Sequence, residues 1–278
     1  MPPDRSPASL PRADWVCGCD RRRKIYPVKY VPIFHFGRTG STVMAAMLDQ
    51  HRDVVSLGEV YTKVFADKIA LATSDDFINV VTRHPKTRAS TAKVCFFELK
   101  NMNLRNGLTE VTLEPLLADF RAAFGDNLIL LRRRNTLRRI VSNLRAAQTK
   151  VYHRRSETDL AGDQKSNFAL PIADVFDFST RAKWRTLVQA IEKAEAIEAA
   201  VSASVKTIFP GAVEIWYEED LEVDPCLGAR KVLDSVGLPR VELSVPYAKT
   251  SGGLRSDISN YDDVERLLRS TRYGWMLG

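Results

Sequence analysis

The hexapeptide Gly37-Arg38-Thr39-Gly40-Ser41-Thr42 puts two glycines, a guanidinium and three hydroxyls into one short turn. Glycine lets backbone curl tightly, and a helix starting at such a turn aims unpaired N–H groups and the positive end of its dipole at one point, which suits a phosphate-like anion. Arg38 adds a cation, and Thr39, Ser41 and Thr42 add hydroxyl donors. A strand-to-helix turn with an ordinary Ser or Thr cap has the same composition, so the hexapeptide alone leaves both readings open. The nucleoside-triphosphatase pattern G-x-x-x-x-G-K-[ST] is absent, since no Lys precedes Ser41. The apolar run Leu128 to Leu131 ends in Arg132-Arg133-Arg134 rather than in an Asp suited to Mg²⁺. A metal site is not expected.

A run of cations at a strand end invites a second anion. Arg134 closes that strand, and Ser142 lies eight residues later in a helical pattern, where two turns bring its hydroxyl back toward the strand end. One Arg and one hydroxyl can then grip a phosphate. A basic solvated helix is the alternative, and Arg138, Arg139 and Arg145 include residues of that kind. Lys249 to Arg255 is a late basic segment containing Gly252 and Gly253, either a ligand-binding loop or a surface turn, and Lys100 follows another apolar run.

These residues need a scaffold of strands and helices. Tyr30 to Phe36 reads as a strand with Pro32 near its start, Thr42 to Gln50 as a helix, and Val94 to Leu99 as a second strand. Thr112 is placed to cap a helix reaching Phe124, which Gly125 ends before the strand Leu128 to Leu131. Helices are expected over Leu137 to Thr149, over Ala173 to about Ser204 and over Pro225 to Val236, with a strand at Val213 to Tyr217. Strands alternating with helices imply the α/β class, with a parallel sheet covered on both faces.

At 278 residues and 45% hydrophobic composition the chain can bury a sizeable core. Residues 1–28, rich in Pro and Arg, read as a mobile tail, and 29–278 as one domain. The net charge of +7 favours an anionic partner. The run Arg21 to Lys24 reads as solvated, so no nucleic-acid partner is expected. Cys17, Cys19, Cys95 and Cys226 lack zinc or disulfide-framework spacing and read as free thiols. With no long apolar run and no signal-peptide core, a cytoplasmic location without a transmembrane segment is the expectation.

Taken together, the two anion motifs resemble those of sulfotransferases that use 3′-phosphoadenosine-5′-phosphosulfate (PAPS). Arg38-Thr39-Gly40-Ser41-Thr42 is similar to their 5′-phosphosulfate loop, and Arg134 with Ser142 to their 3′-phosphate site. Leu131 to His153, Trp216 to Pro225 and Ile258 to Leu277 resemble the bacterial branch that sulfates glycolipids and glycans, of trehalose- and Nod-factor-sulfotransferase type. Met44 to Val60 also resembles the tyrosylprotein and carbohydrate sulfotransferases.

The resemblance implies a P-loop-like three-layer α/β sandwich, PAPS as sulfuryl donor with no metal, and a carbohydrate or glycolipid acceptor. It further implies Gly37 to Thr42, Arg134, Ser142, Lys249 and Arg255 as donor contacts, Arg38 as stabiliser of the departing phosphate, and Glu59 as general base. His35, His51, His84 and His153 are rival bases, His35 reading as structural. Tyrosine in a peptide is the alternative acceptor, and a non-catalytic phosphonucleotide-binding protein the alternative class.

Overall fold

The structure is a computed structural model that describes residues 28–60, 73–101, 113–149, 167–177, 182–247 and 253–278. Its strands are β1 (Lys29–His35), β2 (Val54–Glu59), β3 (Val94–Lys100), β4 (Ile129–Arg132), β5 (Ala173–Asp177), β6 (Ala182–Thr186) and β7 (Val213–Trp216). The helices are α1 (Ser41–Leu48), α2 (Ser74–Thr82), α3 (Pro85–Ala89), α4 (Leu113–Phe124), α5 (Thr136–Thr149), α6 (Leu187–Ile208), α7 (Pro225–Ser235), α8 (Leu254–Asp257) and α9 (Tyr261–Arg269). Five strands pair in parallel in the order β2-β3-β1-β4-β7, and β5 and β6 form a separate antiparallel pair.

The period-2 alternation of the strands divides the core into two layers. Val31 and Ile33, Val94 and Phe96, and Ile129 and Leu131 face α1 and α7, where they meet Met44, Met47, Ala229 and Val232. Phe34, Cys95, Phe97, Leu128 and Leu130 face the other way, onto Phe77 and Val81 of α2, Leu117 and Phe120 of α4, and Val201 and Val205 of α6. Helices therefore cover both faces of the sheet, the expected three-layer α/β arrangement. Phe77, Phe97, Phe120 and Phe124 pack with ring centroids 5.1–6.3 Å apart, and full burial of each such ring contributes about 1.5–3 kcal/mol.

A third apolar cluster joins α5 and the first turns of α6 to α8, α9 and Met276. Further along α6, Glu198 takes both Arg139 of α5 and Arg132 at the end of β4. A pair buried this deeply contributes orientation more than net stability, and here it fixes α5 against the strand that leads into it.

Two elements differ from expectation. Residues expected to begin a helix at Ala173 instead form the β5-β6 hairpin, and the helix starts only at Leu187, where the Thr186 hydroxyl accepts the Gln189 N–H. The pattern Ala173, Val175 and Ala182, Trp184 alternates as strands do, and the longer helical signal after it hid that alternation. The edge strand β2 was not anticipated. It is short and irregular, with its register shifting between Ser56 and Glu59 and Gly58 at φ +66°. Smaller shifts put the start of α1 at Ser41 and the end of β4 at Arg132. Thr112 and the tail with Cys17 and Cys19 lie outside the described residues. Among the described residues, no helix is long and apolar enough to cross a membrane.

Candidate anion and proton-transfer site

The turn after β1 is built by backbone that only a few residues adopt readily. Gly37, Arg38 and Gly40 all lie in the left-handed region, at φ +82°, +54° and +87°, and for the non-glycine this costs roughly 1–2 kcal/mol. Close neighbours explain the glycines as well. A Cβ on Gly37 would stand 3.0 Å from Lys100 Cε, and one on Gly40 would stand 2.8 Å from Leu221 Cδ1 and 3.2 Å from a Tyr217 ring carbon. Thr39 is fully buried, and its Oγ1 has no hydrogen-bond partner among the described residues. An unsatisfied buried hydroxyl costs about 1–3 kcal/mol, which an oxyanion in the turn would recover. The loop therefore fits a bound phosphate or sulfate.

The second motif meets the first. Arg38 Nε donates to Ser142 Oγ at 2.8 Å, across 104 residues of sequence. The two helical turns between the end of β4 and Ser142 thus bring its hydroxyl back to the strand edge. Arg133 closes the contact from the strand side, with a guanidinium N–H donating to the Arg38 carbonyl at 3.2 Å and the Tyr217 ring 4.2 Å from its centre. Burial lowers the Arg133 pKa, opposed by Tyr217, Glu218 and Glu222.

Arg134 turns the other way. Its guanidinium lies over the Trp216 ring at 4.1 Å and donates to Glu219 through Nε at 3.0 Å, while the backbone N–H groups of Arg134 and Asn135 donate to Glu218. Arg138 pairs with Glu222 at 2.9 Å. Carboxylates of the π-helical turn Tyr217–Leu221 and of Glu222 thus occupy the cations at the start of α5. Sequence reasoning singled out Arg134 and passed over Arg133. The signal was the period of two, since Leu131 faces α1 and Arg133 continues that face beyond the strand.

The candidate base lies at the same sheet edge. Glu59 ends β2 and faces Lys100 at the end of β3, with Nζ to Oε1 at 3.8 Å. Behind them His35 and Glu98 are 1% and 4% exposed, with Nε2 to Oε2 at 3.4 Å. Ser41, the first residue of α1, hydrogen-bonds the Glu98 carboxylate. Glu98 is pushed up to about 7, first by burial and then by the Glu59 charge, against the Ser41 bond and Lys100. His35 is lowered to about 4 by burial, with Glu59 raising it and Lys100 lowering it.

Ligand-capable atoms of His35, Glu59 and Glu98 come within 4.8 Å of one another. The Gly37 N–H points at His35 Nδ1 at 3.2 Å, so the proton of the neutral ring sits on Nε2, the nitrogen that faces the carboxylate. That arrangement suits shared protons better than a cation. Glu98 was not singled out from the sequence, although Val94, Phe96, Glu98 and Lys100 show the inward face of β3 changing from apolar to charged toward its C-terminal end.

Other residues fall elsewhere. His51 accepts the Asp53 N–H at Nδ1 and meets the Pro239 carbonyl through Nε2, and His84 accepts the Lys86 N–H at the start of α3. Both are structural in these contacts. Arg255 of α8 lies over the Tyr261 ring and pairs with Asp262 and Glu265, at 68% exposure. Lys249 and His153 lie outside the described residues.

No protein-family model and no curated protein matches the chain. Among solved structures, the chain is similar to the crystal structure of a sulfotransferase from Alicyclobacillus acidocaldarius, at 13% identity and a TM-score of 0.46, covering 89% of this chain and 98% of that one.

Proposed function

We propose that this protein transfers a sulfuryl group from PAPS to a hydroxyl of a carbohydrate or glycolipid acceptor. The observation that carries this reading is the 2.8 Å bond from Arg38 to Ser142, which joins the two anion motifs across 104 residues at one sheet edge. In open α/β sheets, ligands bind outside the carboxyl ends of the strands, and the residues from β1, β2, β3 and β4 all meet there.

The residue types match the needs of a donor with two separated anionic ends. Gly37 to Thr42 hold the phosphosulfate, with Thr39 Oγ1 and Ser41 as side-chain donors. Arg134 and Ser142 hold the 3′-phosphate, and Lys249 and Arg255 add contacts to the nucleotide. Arg134 can exchange Glu219 for a phosphate at small cost, because that pair is about half exposed on each side and contributes about 0–1 kcal/mol, with the contact to the Trp216 ring adding about 0.5–1 kcal/mol. A charge-assisted bond to phosphate contributes roughly 1.5–3 kcal/mol.

In the transfer, the acceptor oxygen bonds to sulfur as the bond from sulfur to the phosphate oxygen breaks, giving a sulfate ester and 3′-phosphoadenosine-5′-phosphate. Glu59 takes the acceptor proton. Arg38 neutralises the charge that grows on the leaving phosphate, with Arg133 holding the Arg38 carbonyl in place. The chain's own guanidinium and ammonium groups supply the positive charge at this edge, so no metal is assigned a role. The buried free thiols of Cys95 and Cys226 suit a reducing, cytoplasmic setting.

Sulfur-labelled PAPS offered with glycans, glycolipids and tyrosyl peptides tests this directly. A sulfate ester on a sugar hydroxyl is expected. O-sulfotyrosine as the main product would overturn the acceptor class, and tight nucleotide binding with no transfer to any acceptor would favour the non-catalytic alternative.

A further inference from the structure

Beneath the anion loop lies a buried carboxylate to which the mechanism above gives no task. Glu98 is 4% exposed at the centre of the sheet edge, and every element around it presents a polar group: His35 from β1, Ser41 from α1, Glu59 from β2 and Lys100 from β3. Its Oε2 has no hydrogen-bond partner among the described residues. Ser41 stands between this carboxylate and the loop, and a serine hydroxyl has one proton to donate. While Glu98 is ionised it can only accept, so it takes that proton and the Ser41 O–H points inward. Once Glu98 carries a proton it can donate to Ser41 Oγ, and the serine proton turns outward.

We propose that Glu98 is a positioning residue for the anion loop, taking up one proton from solvent when an oxyanion fills the turn and thereby releasing the Ser41 hydroxyl to donate to that anion. The identity of the oxyanion as the phosphosulfate end of a nucleotide rests on the function proposed above, whereas the coupling itself needs only an anion in the loop. The polar groups that surround Glu98 support it in three ways. A second negative charge arriving above a buried carboxylate opposes ionisation. Burial and Glu59 already hold Glu98 up to about 7, so one added charge moves it across neutral pH. His35 does not take the proton first: with a proton already on Nε2, a second would have to sit on Nδ1, which accepts the Gly37 N–H, and burial lowers the pKa of the ring.

The sign of the pH dependence follows. Uptake of a proton on binding means that affinity falls as pH rises, by up to tenfold per unit where one proton is taken up. Calorimetric titration of the full chain with 3′-phosphoadenosine-5′-phosphate and, separately, inorganic pyrophosphate, in buffers of different ionisation heat between pH 6 and 8, reads both uptake and affinity. Wild type and Glu98→Gln are compared with the same probe, which cancels the probe's own protonation.

For wild type, uptake approaching one proton and about a tenfold loss of affinity from pH 6 to 8 are expected. In Glu98→Gln, whose amide donates to Ser41 as the protonated acid would, the uptake disappears and the pH 8 affinity rises about tenfold above wild type. Ser41→Ala, which retains Glu98, is expected to bind about tenfold more weakly than wild type at pH 6. Equal uptake in wild type and Glu98→Gln overturns the proposal, as does Ser41→Ala binding like wild type at pH 6. If pyrophosphate shows the Glu98-dependent uptake but the nucleotide does not bind, the nucleotide reading falls and this inference stands. If neither binds, both fall.

Discussion

Replacing Arg38 by alanine is expected to slow sulfuryl transfer about 10²–10³-fold in kcat, the loss seen when one preorganised donor is taken from a developing charge. Arg38 is held from both sides. Its Nε reaches Ser142 at 2.8 Å, its carbonyl accepts from Arg133 at 3.2 Å, and its backbone sits at φ +54°. A side chain fixed in this way meets charge without reorganising, and it is worth more in the transition state than in the ground state. The expected pattern is therefore a fall in kcat and kcat/KM together, with a smaller change in donor affinity.

Arg38→Lys is expected to recover only part of the loss, because an ammonium cannot bond Ser142 and the anion in one plane. The Arg38 side chain is not part of the apolar core, so the thermal midpoint of Arg38→Ala should stay close to wild type. Steady-state kinetics with saturating acceptor decides the matter. A kcat within threefold of wild type would remove Arg38 from the chemistry and leave it as a binding residue.

The second large effect concerns Glu59. Glu59→Gln is expected to lower kcat by about 10²–10⁴-fold, the range for losing a positioned general base, while leaving the donor bound as tightly as in wild type or more so. The second part follows from charge. Glu59 faces Lys100 at 3.8 Å, and removing the carboxylate leaves that ammonium to the anion in the adjacent loop. His35 is no substitute base, since it is 1% exposed and burial lowers it to about 4. Glu98 is close but buried at 4% exposure, and in the proposal above it carries a proton while the loop is filled, so it cannot take another. Pre-steady-state transfer rates measured beside nucleotide affinity separate the two parts. Unchanged transfer in Glu59→Gln would point to the non-catalytic alternative or to a base elsewhere.

The sequence carried the scaffold around the loop well, because the apolar run of β1, the glycines after it and the helical spacing of α1 are local signals. The strand, turn and helix that carry Arg134 and Ser142 were legible for the same reason, as they follow one another within a few residues, whereas the direction of the Arg134 side chain was not. What was hidden depends on which way a side chain faces or on contacts across the sheet. Arg132, Arg133 and Arg134 look alike in sequence, yet Arg132 and Arg134 lie over Trp216 while Arg133 reaches the loop.

The buried polar cluster around Glu98 was harder still. His35, Ser41, Glu59 and Glu98 come from four elements, and only the parallel pairing of β1 and β2 with β3 brings them together. His35 read as structural is half the story, since Nδ1 does hold the Gly37 N–H while Nε2 faces the site. The β5-β6 hairpin failed for another reason. Its alternation spans only two short strands, and the 22-residue helix that follows dominates any wider window.

The most direct test of the two-anion account is calorimetric titration of wild type and Arg134→Ala with 3′-phosphoadenosine-5′-phosphate and adenosine 5′-phosphate, both without metal, and separately with ATP and Mg²⁺. The account predicts micromolar binding of the first nucleotide only, falling at least tenfold when the 3′-phosphate or the Arg134 guanidinium is removed, in line with one charge-assisted contact. ATP with Mg²⁺ binding more tightly, or indifference to the 3′-phosphate, would contradict it and leave Gly37 to Thr42 as the cradle of a different anion.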